Sequence, residues 1–112
     1  MKIVINSDYG GFNLSDMAVE LYAEIKGISL RKEETKYGGS IFYIGEEGED
    51  YFDEINLERN DSILVEVVSK LGNLANGFCA SLSIVEIPDD VEWQIEEYDG
   101  NEWVAEKHRT WR

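Results

Sequence analysis

Between Asp61 and Asn76 the apolar residues Ile63, Leu64, Val67, Val68, Leu71, Leu74 and Ala75 recur at the 3.6-residue period of one helix face. A stripe this wide must be covered by a second layer, so the helix is expected to be the element around which the domain packs. Asn60 or Asp61 can cap its first amides, and Asn76 with Gly77 supplies a left-handed stop. Gly72 then falls inside the helix, at a cost of about 1 kcal/mol relative to Ala, which the apolar face can absorb.

The flanking segments supply that second layer. Lys2 to Asn6 alternates polar and apolar residues around β-branched Ile3, Val4 and Ile5 and reads as a strand broken by Gly10 and Gly11. Ser15 is placed to N-cap a helix with Asp16 in its first turn, an apolar stripe of Ala18, Leu21, Tyr22 and Ile25, and a stop at Gly27. Ile28 to Arg31 can form a strand that returns beside the first, the connection leaving open whether the two are parallel neighbours, and Ile41 to Ile44 forms a second apolar run. Glu33 to Asn56, rich in glycine and acid, reads as an exposed loop or edge. Phe78 to Ile87 reads as a strand closed by Pro88, with Cys79 as a small core residue. Val91 to Tyr98 and Asn101 to Lys107 flank Asp99-Gly100, the dipeptide suited to a two-residue hairpin turn. The expected fold is a single α+β domain over residues 1–112: two layers, a mixed or antiparallel sheet, two helices on one face and a C-terminal β-hairpin.

Charge bounds what such a domain can bind. The chain carries 24 Asp and Glu against 10 Lys and Arg, a net charge of -14 on 112 residues. Over a screening length of about 8 Å at physiological salt, such a surface repels phosphate backbones and anionic lipid and attracts basic partners. Direct nucleic-acid or membrane binding is therefore not expected. One cysteine precludes an intrachain disulfide, and the opening MKIVINSDYGG is neither a signal peptide nor an anchor, so a cytoplasmic protein is expected. No cofactor or metal is expected: the acidic run from Gly45 to Glu54 lacks the spacing of a calcium loop. His108 has no Ser or Cys placed beside it by the sequence, and no catalytic residue is assigned.

Two segments are candidate binding sites. Asn6 to Ser15 joins a strand to a helix, where backbone amides can hold a phosphate, with Ser7, Asp8, Tyr9, Gly10 and Gly11 as the contacting residues. The same glycines equally serve a plain turn, and Asp8 and Asp16 oppose an anion there. The C-terminal hairpin has no Lys or Arg between Glu86 and Lys107 and interleaves carboxylates with Trp93, Tyr98 and Trp103. Glu92, Glu96, Tyr98, Asp99, Glu102 and Trp103 are the candidate partner-binding residues, acid for steering and aromatic for anchoring. Lys107, His108, Arg109 and Arg112 make a basic tail that folds back onto the acidic body or pairs with a second chain as a homo-oligomer.

MKIVINSDYGGF resembles the opening strand and turn of type-B sugar-phosphate isomerases. Tyr9 stands where that family has His, and no cysteine-bearing catalytic loop follows Gly27, so its activity is not carried over. The GGFNLS turn and the C-terminal EIPDDVEWQIEEYDGNEWVAEKHRTW resemble a family of small acidic bacteriophage and prophage proteins to which no function is attached. The resemblance implies a small accessory protein in a bacterial cell that binds host factors; together with the acidic surface, this leads to the expectation of a non-enzymatic protein that binds a basic site on a host protein, including one that normally holds nucleic acid. The alternative is a protein or enzyme that holds a nucleotide or sugar phosphate at Asn6 to Ser15.

Overall fold

A computed structural model describes residues 1–36, 38–45 and 50–107. The element order is β1 (Lys2–Asn6), α1 (Asp16–Lys26), β2 (Leu30–Glu34), β3 (Ser40–Ile44), α2 (Ser62–Leu71), β4 (Leu82–Glu86), β5 (Trp93–Tyr98) and β6 (Asn101–Glu106). Short 3-10 turns lie at Glu54–Asn56 and Gly72–Ala75. The chain is an α+β domain with antiparallel strand pairing and a C-terminal hairpin, as the pattern of periods predicts.

The strands form three antiparallel pairs, β1 with β4, β2 with β3 and β5 with β6, in place of one continuous sheet. β2 therefore does not return beside β1 as expected. It pairs with β3 in register Leu30 to Ile44 and Glu34 to Ser40, so the start of the segment read as an exposed loop or edge is ordered strand. The reason is local: Thr35 closes the hairpin through its hydroxyl to the Gly38 carbonyl and its amide to the Gly39 carbonyl. Glu46, Glu47, Gly48 and Glu49 of the acidic run lie outside the described residues.

The core forms where α1 and α2 cover one face of β1. Ala18, Val19 and Tyr22 of α1 meet Leu64, Val67 and Val68 of α2, and Val4, Phe12, Leu14, Phe42 and Ala75 complete the buried cluster. Both helices start as their caps dictate. The Ser15 hydroxyl accepts from the Ala18 amide, and Asp61 Oδ1 accepts from the Ile63 and Leu64 amides. Asp61 Oδ2 also accepts a 2.6 Å hydrogen bond from the hydroxyl of fully buried Tyr22, joining the two helices through one carboxylate. Burial opposes the charge on Asp61, but the hydrogen bonds from Tyr22 and the two amides outweigh it and hold the carboxyl below its ordinary range.

Two expectations at the end of α2 are corrected. The α-helix stops at Gly72, whose φ of +55° departs from the helix and suits a residue without a side chain, so this glycine terminates the helix and is not inside it. Leu74 consequently leaves the stripe and is 62% exposed. Phe78 and Cys79 lie outside the strand expected there, since β4 begins at Leu82. Cys79 is exposed, with φ of +65°, and is not a core residue.

Candidate functional site

The glycine turn and the tip of the β5–β6 hairpin, distant in sequence, meet. The Gly10 amide donates to the Asp99 carbonyl at 3.1 Å. A side chain at Gly100 would fall on the Gly11 amide nitrogen, and one at Gly10 would lie 2.7 Å from Cys79 Cβ. The glycines are thus needed for backbone-to-backbone approach on two sides. Tyr9, Gly10, Gly11, Glu97, Asp99 and Gly100 line one shallow depression, which brings the two candidate segments into one surface.

Asn6 organises this junction from a fully buried position. Its Nδ2 donates to the Asp8 carbonyl at 2.7 Å and the Gly100 carbonyl at 2.8 Å, while its Oδ1 accepts from the Ser81 amide. The Asn6 main-chain amide donates to Glu102 Oε1 at 2.8 Å. Glu102 in turn accepts both guanidinium nitrogens of Arg59, at 2.6 and 2.9 Å. The Arg59 guanidinium lies 3.7 Å from the centre of the Phe12 ring. The Val4 amide donates to the Arg59 carbonyl, so Arg59 and Glu102 together close the edge of β1 that β4 does not use.

This corrects the reading of Glu102 as an outward carboxylate. Its side chain is only 9% exposed and is spent within the chain, because its strand position places it on the face turned toward β1. Arg59 was not visible as its partner in the sequence: an isolated Arg ahead of a helix cap carries no signature.

The other hairpin candidates face outward. Cross-strand partners share a face, so Gln94 with Ala105, Glu96 with Trp103, and Tyr98 with Asn101 form one side of the ribbon. On it Tyr98 is 72% exposed and Trp103 45%. Trp103 Nε1 donates to Glu96 Oε2 at 3.2 Å, and Gln94 Nε2 donates to Glu96 Oε1 at 3.0 Å, which fixes the aromatic ring beside the charge. Trp93, Ile95 and Val104 lie on the opposite, half-buried side. Asp99 at φ +53° and Gly100 at φ +89° form the tip, and Glu97 caps it by accepting the Gly100 amide. Among the described residues, nothing pairs with the Glu92 or Asp99 side chains.

At the turn itself, Ser7, Asp8, Tyr9 and Gly10 are exposed. Two of the amides that a phosphate would need are already used: the Tyr9 amide donates to Asp8 Oδ1 at 2.7 Å, and the Gly10 amide to Asp99. Ser7 Oγ is hydrogen-bonded to Ser83 Oγ. Carboxylates of Asp8, Glu97 and Asp99 surround what remains, and they repel an anion.

A separate cleft of about 370 Å³ lies where the start of α1, the start of β3 and the 76–78 segment converge around Glu54. Burial, ahead of neighbouring carboxylates, pushes the Glu54 carboxyl above its ordinary range, while hydrogen bonds from backbone amides pull the other way. No group of three metal-ligating side chains occurs among the described residues, and no described helix is long and apolar enough to cross a membrane. His108, Arg109 and Arg112 of the basic tail lie outside the described residues. Comparison with protein-family models, with curated proteins and with solved structures yields no match.

Proposed function

We propose that the chain is a non-enzymatic binding protein that docks the outward face of the β5–β6 ribbon on a basic protein surface of a bacterial host, of the kind that holds nucleic acid. The observation that carries this is the exposure of Tyr98 and Trp103 within a hairpin that has no Lys or Arg between Glu86 and Lys107. Large aromatic side chains held at a fixed position beside carboxylates supply an anchor, and the surrounding charge supplies steering. Tyr9, 58% exposed, and Asp8 extend the same chemistry across the tip through the contact of Gly10 with Asp99.

The rival reading, a nucleotide or sugar phosphate held at Asn6 to Ser15, has less support, because the Tyr9 and Gly10 amides are engaged within the chain and the rim is acidic. Capture from bacterial lysate identifies a partner, and kinetics on the purified pair test the face. Glu92→Lys with Glu96→Lys should slow association and reduce its salt dependence, whereas Trp103→Ala should speed dissociation. A folded double charge-reversal variant that binds the captured protein as tightly as the parent would remove the ribbon from the interface.

A further inference from the structure

The backbone of β4 has one edge without a partner. Direction follows from β1: the Val4 amide and carbonyl face Arg59 and the Asn6 amide faces Glu102, so these residues turn their backbone polar groups away from β4. In an antiparallel ladder both members of such a non-hydrogen-bonded pair point outward. The register pairs Asn6 with Leu82, Val4 with Ile84 and Lys2 with Glu86, so Leu82, Ile84 and Glu86 direct their N–H and C=O groups away from β1. The Leu82 amide is satisfied by Asn76 Oδ1 at 2.8 Å. Among the described residues, nothing accepts from or donates to Ile84 and Glu86 on that side.

The chain treats its other edges differently. Arg59 and Glu102 close β1, while β3 is bridged by the 50–52 segment through the Ile44 amide to Asp50 and the Phe52 amide to Phe42. β2 carries Arg31, Lys32, Glu33 and Glu34, and β5 carries Glu96 and Glu97, charges of the kind that discourage strand pairing. β4, reading Leu-Ser-Ile-Val-Glu, has no charge before its last residue and no proline. Leu82 and Ile84 pack against the core yet remain half-buried, leaving an apolar step beside the open backbone.

We infer that the β4 edge is a strand-addition site for an extended basic segment of a partner protein. The alternation of backbone donor and acceptor at Ile84 and Glu86 fits an added strand, in which main-chain hydrogen bonds give affinity and alternate side chains give selectivity. Charge complementarity selects the occupant. A second copy would bring a net charge of -14 against -14, whereas Lys or Arg on an added strand would meet Glu86 and, just beyond it, exposed Asp90. The site is separate from the outward face of the β5–β6 ribbon and does not rest on it.

Residue-resolved amide exchange tests this with a seven-residue peptide of alternating Lys and Val. In the free protein, the Ser83 and Val85 amides, which face β1, should be protected, and the Ile84 and Glu86 amides should not. Near-saturating peptide should slow exchange at Ile84 and Glu86 by about tenfold or more. The same peptide N-methylated at alternate positions, and a version with Glu for Lys, should leave these amides unchanged. Glu86→Pro removes one outward N–H without touching the β1 ladder and should weaken binding about tenfold. The N-methylated peptide serves the same purpose should that variant fold poorly. Unchanged exchange at Ile84 and Glu86 with millimolar Lys-Val peptide would overturn the inference. So would protection already present in free protein that grows with protein concentration, which would place a second copy on the edge. Protection confined to Glu96, Tyr98 and Trp103 would also overturn it, while leaving the ribbon interface standing.

Discussion

Replacing Glu102 by Leu should be among the most destabilising single changes available outside the apolar core. The magnitude follows from what the carboxylate does: it receives both guanidinium nitrogens of Arg59 and the amide of buried Asn6. Removing one member of a buried ion pair leaves an uncompensated charge, a loss of about 3 to 5 kcal/mol. Arg59→Met should cost a similar amount, with the stacking of Arg59 on Phe12 adding about 0.5 to 2 kcal/mol. The double variant Arg59→Met, Glu102→Leu removes both charges and should recover most of the loss. About 1 to 3 kcal/mol should remain, because the Asn6 amide still lacks its acceptor. Urea unfolding followed by tryptophan fluorescence measures all four proteins of the cycle, provided the slopes stay constant. An outward carboxylate at position 102, as the strand pattern alone suggests, would cost less than about 1 kcal/mol on removal. A Glu102→Leu midpoint that close to the parent, with additive single and double variants, would refute the buried latch.

Leu64→Ala, at a fully buried site, should cost about 2 to 5 kcal/mol, whereas Leu74→Ala, beyond the helix stop, should be close to neutral by the same unfolding assay. Asp61→Ala should cost about 1 to 2 kcal/mol at neutral pH. The carboxyl is held low in the folded state, so its contribution is present above the unfolded value near 4 and is lost as pH falls through the lower folded one, making parent and variant converge in acid. Glu54 has the opposite sign: its raised value favours the neutral form, so Glu54→Gln should stabilise the protein at pH 7 and lose that advantage below about pH 4. Gly100→Ala should destabilise by more than about 1 kcal/mol, since the new methyl meets the Gly11 amide at a φ of +89°; an unchanged midpoint would show that the tip does not pack on the turn.

What the sequence reveals of this fold is what depends on neighbours along the chain. Ser15 and Asp61 cap their helices, Gly27 ends α1, and Asp99 with Gly100 turns the last hairpin, because each acts within a few residues of itself. Strand partnership depends on distant segments, and there the reading of Ile28 to Arg31 beside β1 fails. An apolar run does not encode which edge it joins, and the short connection closed by Thr35 gives β2 a nearer partner in β3. Gly72 marks a second limit. A glycine near the end of a long apolar stripe reads equally as an interior residue or a terminator, and only its positive φ decides between them.

The same distinction governs the candidate site. Alternation along β5 and β6 correctly separates Trp93 and Ile95 from Glu96, but it cannot tell which of two acidic faces turns inward. That is set by Arg59, a residue 43 positions from Glu102 in sequence, and by the need of β1 for a closed edge. Gly10 and Gly11 show how one signal supports two chemistries. Glycines after a strand and before a helix leave backbone amides accessible, and either an anion or another backbone can use that access. Here the Gly100 carbonyl receives Asn6 Nδ2, the Asp99 carbonyl receives the Gly10 amide, and Asp8 takes the Tyr9 amide. The turn therefore acts as a seat for the hairpin tip. By seating it, the turn brings Tyr9 beside Glu97 and Asp99 in one shallow depression, where a residue of the first loop and the acid of the hairpin share a surface.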